Sequence, residues 1–129
     1  IPKMWDAVTE EMENRITGLS NNDGVVGLCA DMYDGGFDYW IGCMSEQDCP
    51  EDLEEMTIPA STWAVFEIIG SMRPLPNAMQ DIWKRIYSEW LPNSGYEHAM
   101  LPEIEYYSAG DMMAADYKSE IWIPVKKIV

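Results

Sequence analysis

Twice in this chain of 129 residues an amphipathic helix pattern runs into a pair of short strands, and that doubled order limits the fold more than any other feature. In the first half, Met4, Trp5, Val8, Met12 and Ile16 recur at three- and four-residue steps, with Asp6, Glu10, Glu11 and Glu13 on the other side. The spacing predicts a helix from Lys3 to Leu19, opened by Pro2 and ending near Gly18. Asn21 to Gly24 turns the chain, Val25 to Ala30 reads as a strand, and Tyr33 to Gly36 reverses it through two glycines that accept positive φ. Phe37, Tyr39, Ile41 and Cys43 then alternate with Asp38, Trp40 and Gly42, the second arm of a hairpin.

After an acidic loop over 45–55, Met56 to Ile58 and Thr62 to Ile69 read as strand, kinked at Pro59 to Ser61. Pro76 opens a second helix with Met79, Ile82, Trp83, Ile86, Tyr87 and Trp90 as its stripe, and Pro92 closes it. Glu103 to Tyr107 and Tyr117 to Val125 form a hairpin. The second half is therefore β-α-β-β. The first half matches it without an opening strand, whose expected place is ahead of Ile1. The expected fold is α+β: two pseudo-symmetric β-α-β-β units with antiparallel sheets, two main helices and a central ligand cleft. They form one domain over 1–129, with halves at 1–50 and 51–129.

Composition narrows the function. Hydrophobic residues make up 47% of the chain, enough for a core, so the high charge does not imply disorder. The 23 acidic groups face only eight Lys and Arg, giving a formal charge of −15, and residues 1–60 hold 14 of the acids. Such a field repels phosphate backbones and attracts cations, so direct nucleic-acid binding is not expected. No apolar run approaches the ~20 residues of a membrane helix, and Cys29, Cys43 and Cys49 lack metal-site spacing. A cytoplasmic protein with reduced thiols, no metal and no cofactor is the expectation. Several of the six Trp and seven Tyr lie on short strand-like runs beside single carboxylates, notably over 101–107 and 120–124, a pairing suited to a flat organic cation.

The segments Phe37–Gly42, Thr57–Ala60 leading into Trp63–Phe66, Ile86–Pro92, Glu105–Tyr107 and Ile121–Pro124 resemble, in this order, the gyrase-inhibitory-protein-like effector-binding domains. These are the ligand-binding halves of AraC- and MerR-type multidrug-responsive regulators. The likeness is greatest to the stand-alone integron-cassette proteins that bind cationic drugs. The resemblance implies a duplicated β-α-β-β fold with a central pocket. It also implies that Glu105 is the pocket glutamate that meets bound cations, and that Glu120 and Trp122 match a family acid and aromatic before the Ile-Pro pair. No helix-turn-helix or basic segment accompanies these motifs, so only ligand binding carries over.

Strand alternation puts Glu103, Glu105 and Tyr107 on one face and Ile104 and Tyr106 on the other. Ile104 is expected to meet the helical core, which sends Glu105 to the cleft. Trp122 shares a face with Glu120, and Trp40 with Asp38; Trp63 and Phe66 fall on opposite faces. The expected ligand-binding set is Glu105, Trp122, Trp40, Tyr107, Glu120 and Phe66, with Trp83, Tyr87 and Trp90 assigned to helix packing and His98 to the surface. The expected ligands are amphipathic aromatic cations, and a protein partner or homodimer is compatible with the acidic surface. An enzyme is disfavoured, since no phosphate loop, nucleophile elbow or HExxH spacing is present. Two alternatives remain open: hydrolysis of reactive small molecules with Glu105 as general base, or an acidic protein-interaction module that regulates a DNA-binding partner.

Overall fold

The computed structural model describes residues 7–21, 24–33, 36–72 and 78–128, without the side chains of 31–33, 36–37 and 78. The expected helix start at Pro2–Trp5, parts of the turns at 21–24 and 33–36, and the Pro76 helix start lie outside them. Helix α1 spans Glu10–Leu19. Thr9 caps it, its Oγ1 accepting the Met12 N–H at 3.2 Å, while Glu10, Glu11 and Glu13 complement the positive end of the helix dipole. Residues 7–9 are not helical, so this cap starts the helix at Glu10, later than the apolar spacing alone predicts.

Strands β1 (Val25–Tyr33), β2 (Gly36–Gly42) and β3 (Thr62–Ile69) follow, then helix α2 (Ala78–Arg85), β4 (Tyr96–His98), β5 (Glu103–Tyr107) and β6 (Lys118–Lys127). Met56 to Ile58 is not strand: residues 43–61 form an irregular strap, and Asn21 N–H bonds the Met44 carbonyl where the strap leaves the sheet. The Arg15 guanidinium grips Asp52 through two hydrogen bonds, tying α1 to the strap. Helix α2 continues as a π-helical turn over Ile86–Trp90 and a 3₁₀ turn over Leu91–Asn93, where Pro92 offers no N–H to extend an α-helix. The short strand β4 is absent from the sequence pattern; it pairs with the end of β6.

All pairs are antiparallel, in the order β2-β1-β5-β6-β3, with β4 joined to β6 off this path. Register fixes two faces. Glu105 lies opposite Gly27 and Ile121, and Ile104 opposite Leu28 and Trp122. On the first face Ile68, Ile121, Ile123 and Val125 pack under Met79 and Ile86 of the second helical segment. Met79, Ile86, Ile121 and Ile123 are no more than 2% exposed, and burial of each stabilises the fold by about 1.5–3 kcal/mol. On the second face Val26, Leu28 and Ile104 pack with Trp40, Trp63, Tyr106 and Trp122 beneath Met44, Met56 and Ile58 of the strap.

Candidate functional site

Glu105 is half-buried on the α2 side of the sheet. Gly27 stands opposite it, and a Cβ there would overlap the Tyr39 hydroxyl and approach Glu105 Oε1 to 3.1 Å. That missing side chain lets Tyr39 reach across β1. Its hydroxyl donates to Glu105 Oε1 at 2.6 Å, Tyr107 Oη lies 3.3 Å from the same oxygen, and Trp83 Nε1 donates to Oε2 at 2.7 Å. Tyr107 has one hydroxyl proton and also lies 3.2 Å from Met79 Sδ, so it serves Glu105 or Met79, not both. Among the described residues every hydrogen-bond partner of Glu105 is a neutral aromatic donor. Among the described residues no Lys or Arg pairs with it.

A second carboxylate lies two residues away on the same face. Glu103 is buried, accepting from the Tyr87 hydroxyl at 2.5 Å and meeting His98 Nε2 at 3.1 Å. His98 Nδ1 accepts the Met100 N–H at 2.8 Å, which leaves the ring proton on Nε2, facing Glu103. Met100 takes a φ of 60° to make that bond. The Trp83 and Tyr87 rings stack at 6.2 Å with planes 10° apart, so one helix face delivers a donor to each carboxylate. The negative field registers on the neighbours. Burial first, then the Glu105 and Glu103 charges, pushes the Cys29 thiol up to about 12. Tyr107 is raised well above the phenol range by burial and then by Glu105.

Tyr107 also forms a wall of a cavity of about 450 Å³ between α1 and the connection over 108–117, bounded by Thr17, Val25 and Tyr117. The opposite face of the sheet carries a larger open cleft of about 1060 Å³, floored by Trp40, Trp63 and Trp122.

The six residues expected to share one site therefore divide. Glu105 and Tyr107 stand together, while Phe66 lies on their face but on β3, edge-on to Trp90 at 5.0 Å. Trp40, Glu120 and Trp122 occupy the opposite face, where Trp122 Nε1 donates to Glu120 Oε1 at 2.9 Å. The expected direction of β5 is reversed: Glu105, not Ile104, points beneath α2, because Trp83, Tyr39 and Tyr107 supply the polar contacts a carboxylate needs there. His98 is likewise no surface imidazole, its side chain being 16% exposed. Trp83 and Tyr87 are helix-packing residues with polar duties that an apolar stripe does not reveal.

Among the described residues no helix is long and apolar enough to cross a membrane. Comparison with known proteins agrees with the fold and points to effector binding. The family model described as integron-associated effector binding protein matches residues 1–125. The chain is 24% identical over 136 residues to a DNA gyrase inhibitor of Erwinia billingiae, covering 95% of this chain and 85% of that protein. It is 26% identical over 129 residues to the transcriptional regulator BrlR of Pseudomonas aeruginosa, covering 97% of this chain but only 46% of the regulator. Among solved structures, SAV2435 bound to tetraphenylphosphonium superposes with a TM-score of 0.83 at 26% identity, covering 97% of this chain and 76% of that one. A transcription regulation protein from Staphylococcus aureus gives 0.76 at 26% identity, covering 98% and 80%. This chain belongs to the family of integron-associated effector-binding proteins, a small-molecule-binding α+β fold.

Proposed function

We propose that the protein binds amphipathic aromatic organic cations against Glu105, which enter past Tyr107 and stack among Tyr39, Trp83 and Tyr107. One observation carries this reading: a half-buried carboxylate whose hydrogen-bond partners among the described residues are all neutral ring-bearing donors. Those donors hold the carboxylate in place yet leave its charge uncompensated, and a monocation neutralises it in a setting where water screens poorly. The same rings offer π faces to the cation's apolar body. A solved relative of this fold holds tetraphenylphosphonium, a ligand of this class.

The test is titration calorimetry with tetraphenylphosphonium, followed in parallel by tryptophan emission, since Trp83 touches the carboxylate. Saturable one-to-one binding with a change in emission is expected. Absence of binding up to millimolar ligand refutes the proposal.

A further inference from the structure

The cleft on the far side of the sheet shares Tyr39 with the Glu105 site but is not lined by the carboxylate itself. Its floor is Trp40 on β2, Trp63 on β3 and Trp122 on β6, with Leu28 and Ile104 between them. Alternation separates it from Glu105 by the thickness of the sheet, since Ile104 and Glu105 are neighbours on one strand. Trp63 and Trp122 meet edge to face at 6.2 Å, and Trp122 is oriented by its Nε1 bond to Glu120. All three indoles are half-buried, so each keeps ring surface open to an occupant.

Its wall is the strap over 43–61, which contributes Asp48, Asp52, Glu54 and Glu55, and Asp38 projects from β2. Among the described residues no Lys, Arg or His lines the cleft. Asp52 is engaged by Arg15 at the rim. Glu54, Glu55, Asp38 and Asp48 are exposed and give the opening one sign of charge, which focuses a field that draws cations inward. The volume of about 1060 Å³ sits at the upper end of the small-molecule range of about 300–1,000 Å³. From this we infer that the protein carries a second, Glu105-independent binding site, whose occupant is a flat aromatic organic cation lying on Trp40, Trp63 and Trp122.

The two sites differ in what they read. The Glu105 site presents one fixed carboxylate inside a cage of hydroxyl and indole donors. Among the described residues the far cleft is lined by no buried carboxylate and offers ring faces under a diffuse acidic rim, so it selects flatness more than a single buried charge. Its attraction for cations also weakens more steeply with salt, because exposed charges are screened.

The experiment uses proflavine, a planar cation, and the full chain. Calorimetry on the wild type gives a stoichiometry of two. Glu105→Gln retains a one-site isotherm with tryptophan quenching. Adding Trp63→Leu to Glu105→Gln weakens that remaining binding about tenfold, the factor expected for loss of one strong ring contact. Trp63→Leu alone leaves tetraphenylphosphonium binding at the Glu105 site unchanged, and that result also reports that the fold is intact. If the Trp63 variant fails to fold, Glu54→Gln with Glu55→Gln replaces it; both are surface changes, and they weaken the second site several-fold at low salt and flatten its salt dependence. Loss of all proflavine binding in Glu105→Gln overturns the inference. So does a second isotherm unaffected by Trp63→Leu, or a cleft that ignores proflavine and takes up only a basic amphipathic peptide. Failure of proflavine with tetraphenylphosphonium still bound removes this second site while leaving the Glu105 reading intact.

Discussion

Replacing Glu105 by Gln preserves shape and one carbonyl acceptor while removing the charge. Tetraphenylphosphonium shields its phosphorus behind four rings, so the charge centres come no closer than about 5 Å. At that distance a unit pair is worth roughly 0.8 kcal/mol in bulk water and roughly 3 kcal/mol at the effective dielectric typical of protein sites. Glu105 is half-buried, which places the ion pair between these limits, at about 2 kcal/mol or roughly thirtyfold in affinity. The variant has a second effect on the empty protein. Tyr39 and Trp83 donate to opposite oxygens, so one of them faces the amide NH₂ and loses its acceptor. That orphaned donor loosens the site for every ligand alike, and a charge effect must be read as a ratio. The assay is calorimetric titration of tetraphenylphosphonium beside triphenylphosphine oxide, a neutral molecule of related size, on wild type and variant. The cation-to-neutral affinity ratio should fall about thirtyfold. An equal loss for both ligands refutes charge selection and leaves Glu105 a structural member of the aromatic cage.

Gly27→Ala should displace the Tyr39 ring and break its bond to Glu105, costing about 1.5–3 kcal/mol in urea unfolding, since the acceptor is charged; unchanged stability would remove the role given to the missing Cβ. Tyr87→Phe should cost a similar amount, about 1.5–3 kcal/mol, by leaving buried Glu103 with His98 as its remaining partner among the described residues, and a value under 0.5 kcal/mol would deny that bond any weight. Cys29 ionises near 9.0 in the unfolded chain but only at about 12 in the fold, so its contribution is full below pH 9 and lost as pH rises toward 12. Cys29→Ala should flatten the fall of melting temperature across that window, and an identical pH profile in both proteins contradicts the assignment. At pH 8 a maleimide should label exposed Cys49 well before Cys29, which peptide mapping reads directly.

How far the sequence reaches is set by what alternation can and cannot say. Period-two patterns correctly group Glu103, Glu105 and Tyr107, pair Glu120 with Trp122, and split Trp63 from Phe66, because successive side chains must leave a strand on opposite sides. They do not say which side meets a helix. Here both faces are covered, one by α2 and one by the strap, so the rule that an apolar face points inward loses its force. Ile104 is buried on the strap side, and the carboxylate beside it goes under the helix. The strap itself is legible only in part: 45–55 reads as an acidic loop, whereas Met56 and Ile58, two residues apart, read as strand although they lie outside the sheet. The donors around Glu105 are hidden for a different reason. Tyr39, Trp83 and Glu105 are 66 and 22 residues apart in the chain, and nothing local marks a phenol or an indole N–H as a partner for a distant carboxylate. Their sequence signal is the excess of Trp and Tyr over what a small core needs, together with one glycine in a strand, the residue that removes the barrier between them. A carboxylate held by rings rather than by Lys or Arg remains available to a cation from solution, and that is why we propose Glu105, with its long-range aromatic donors, as the binding group.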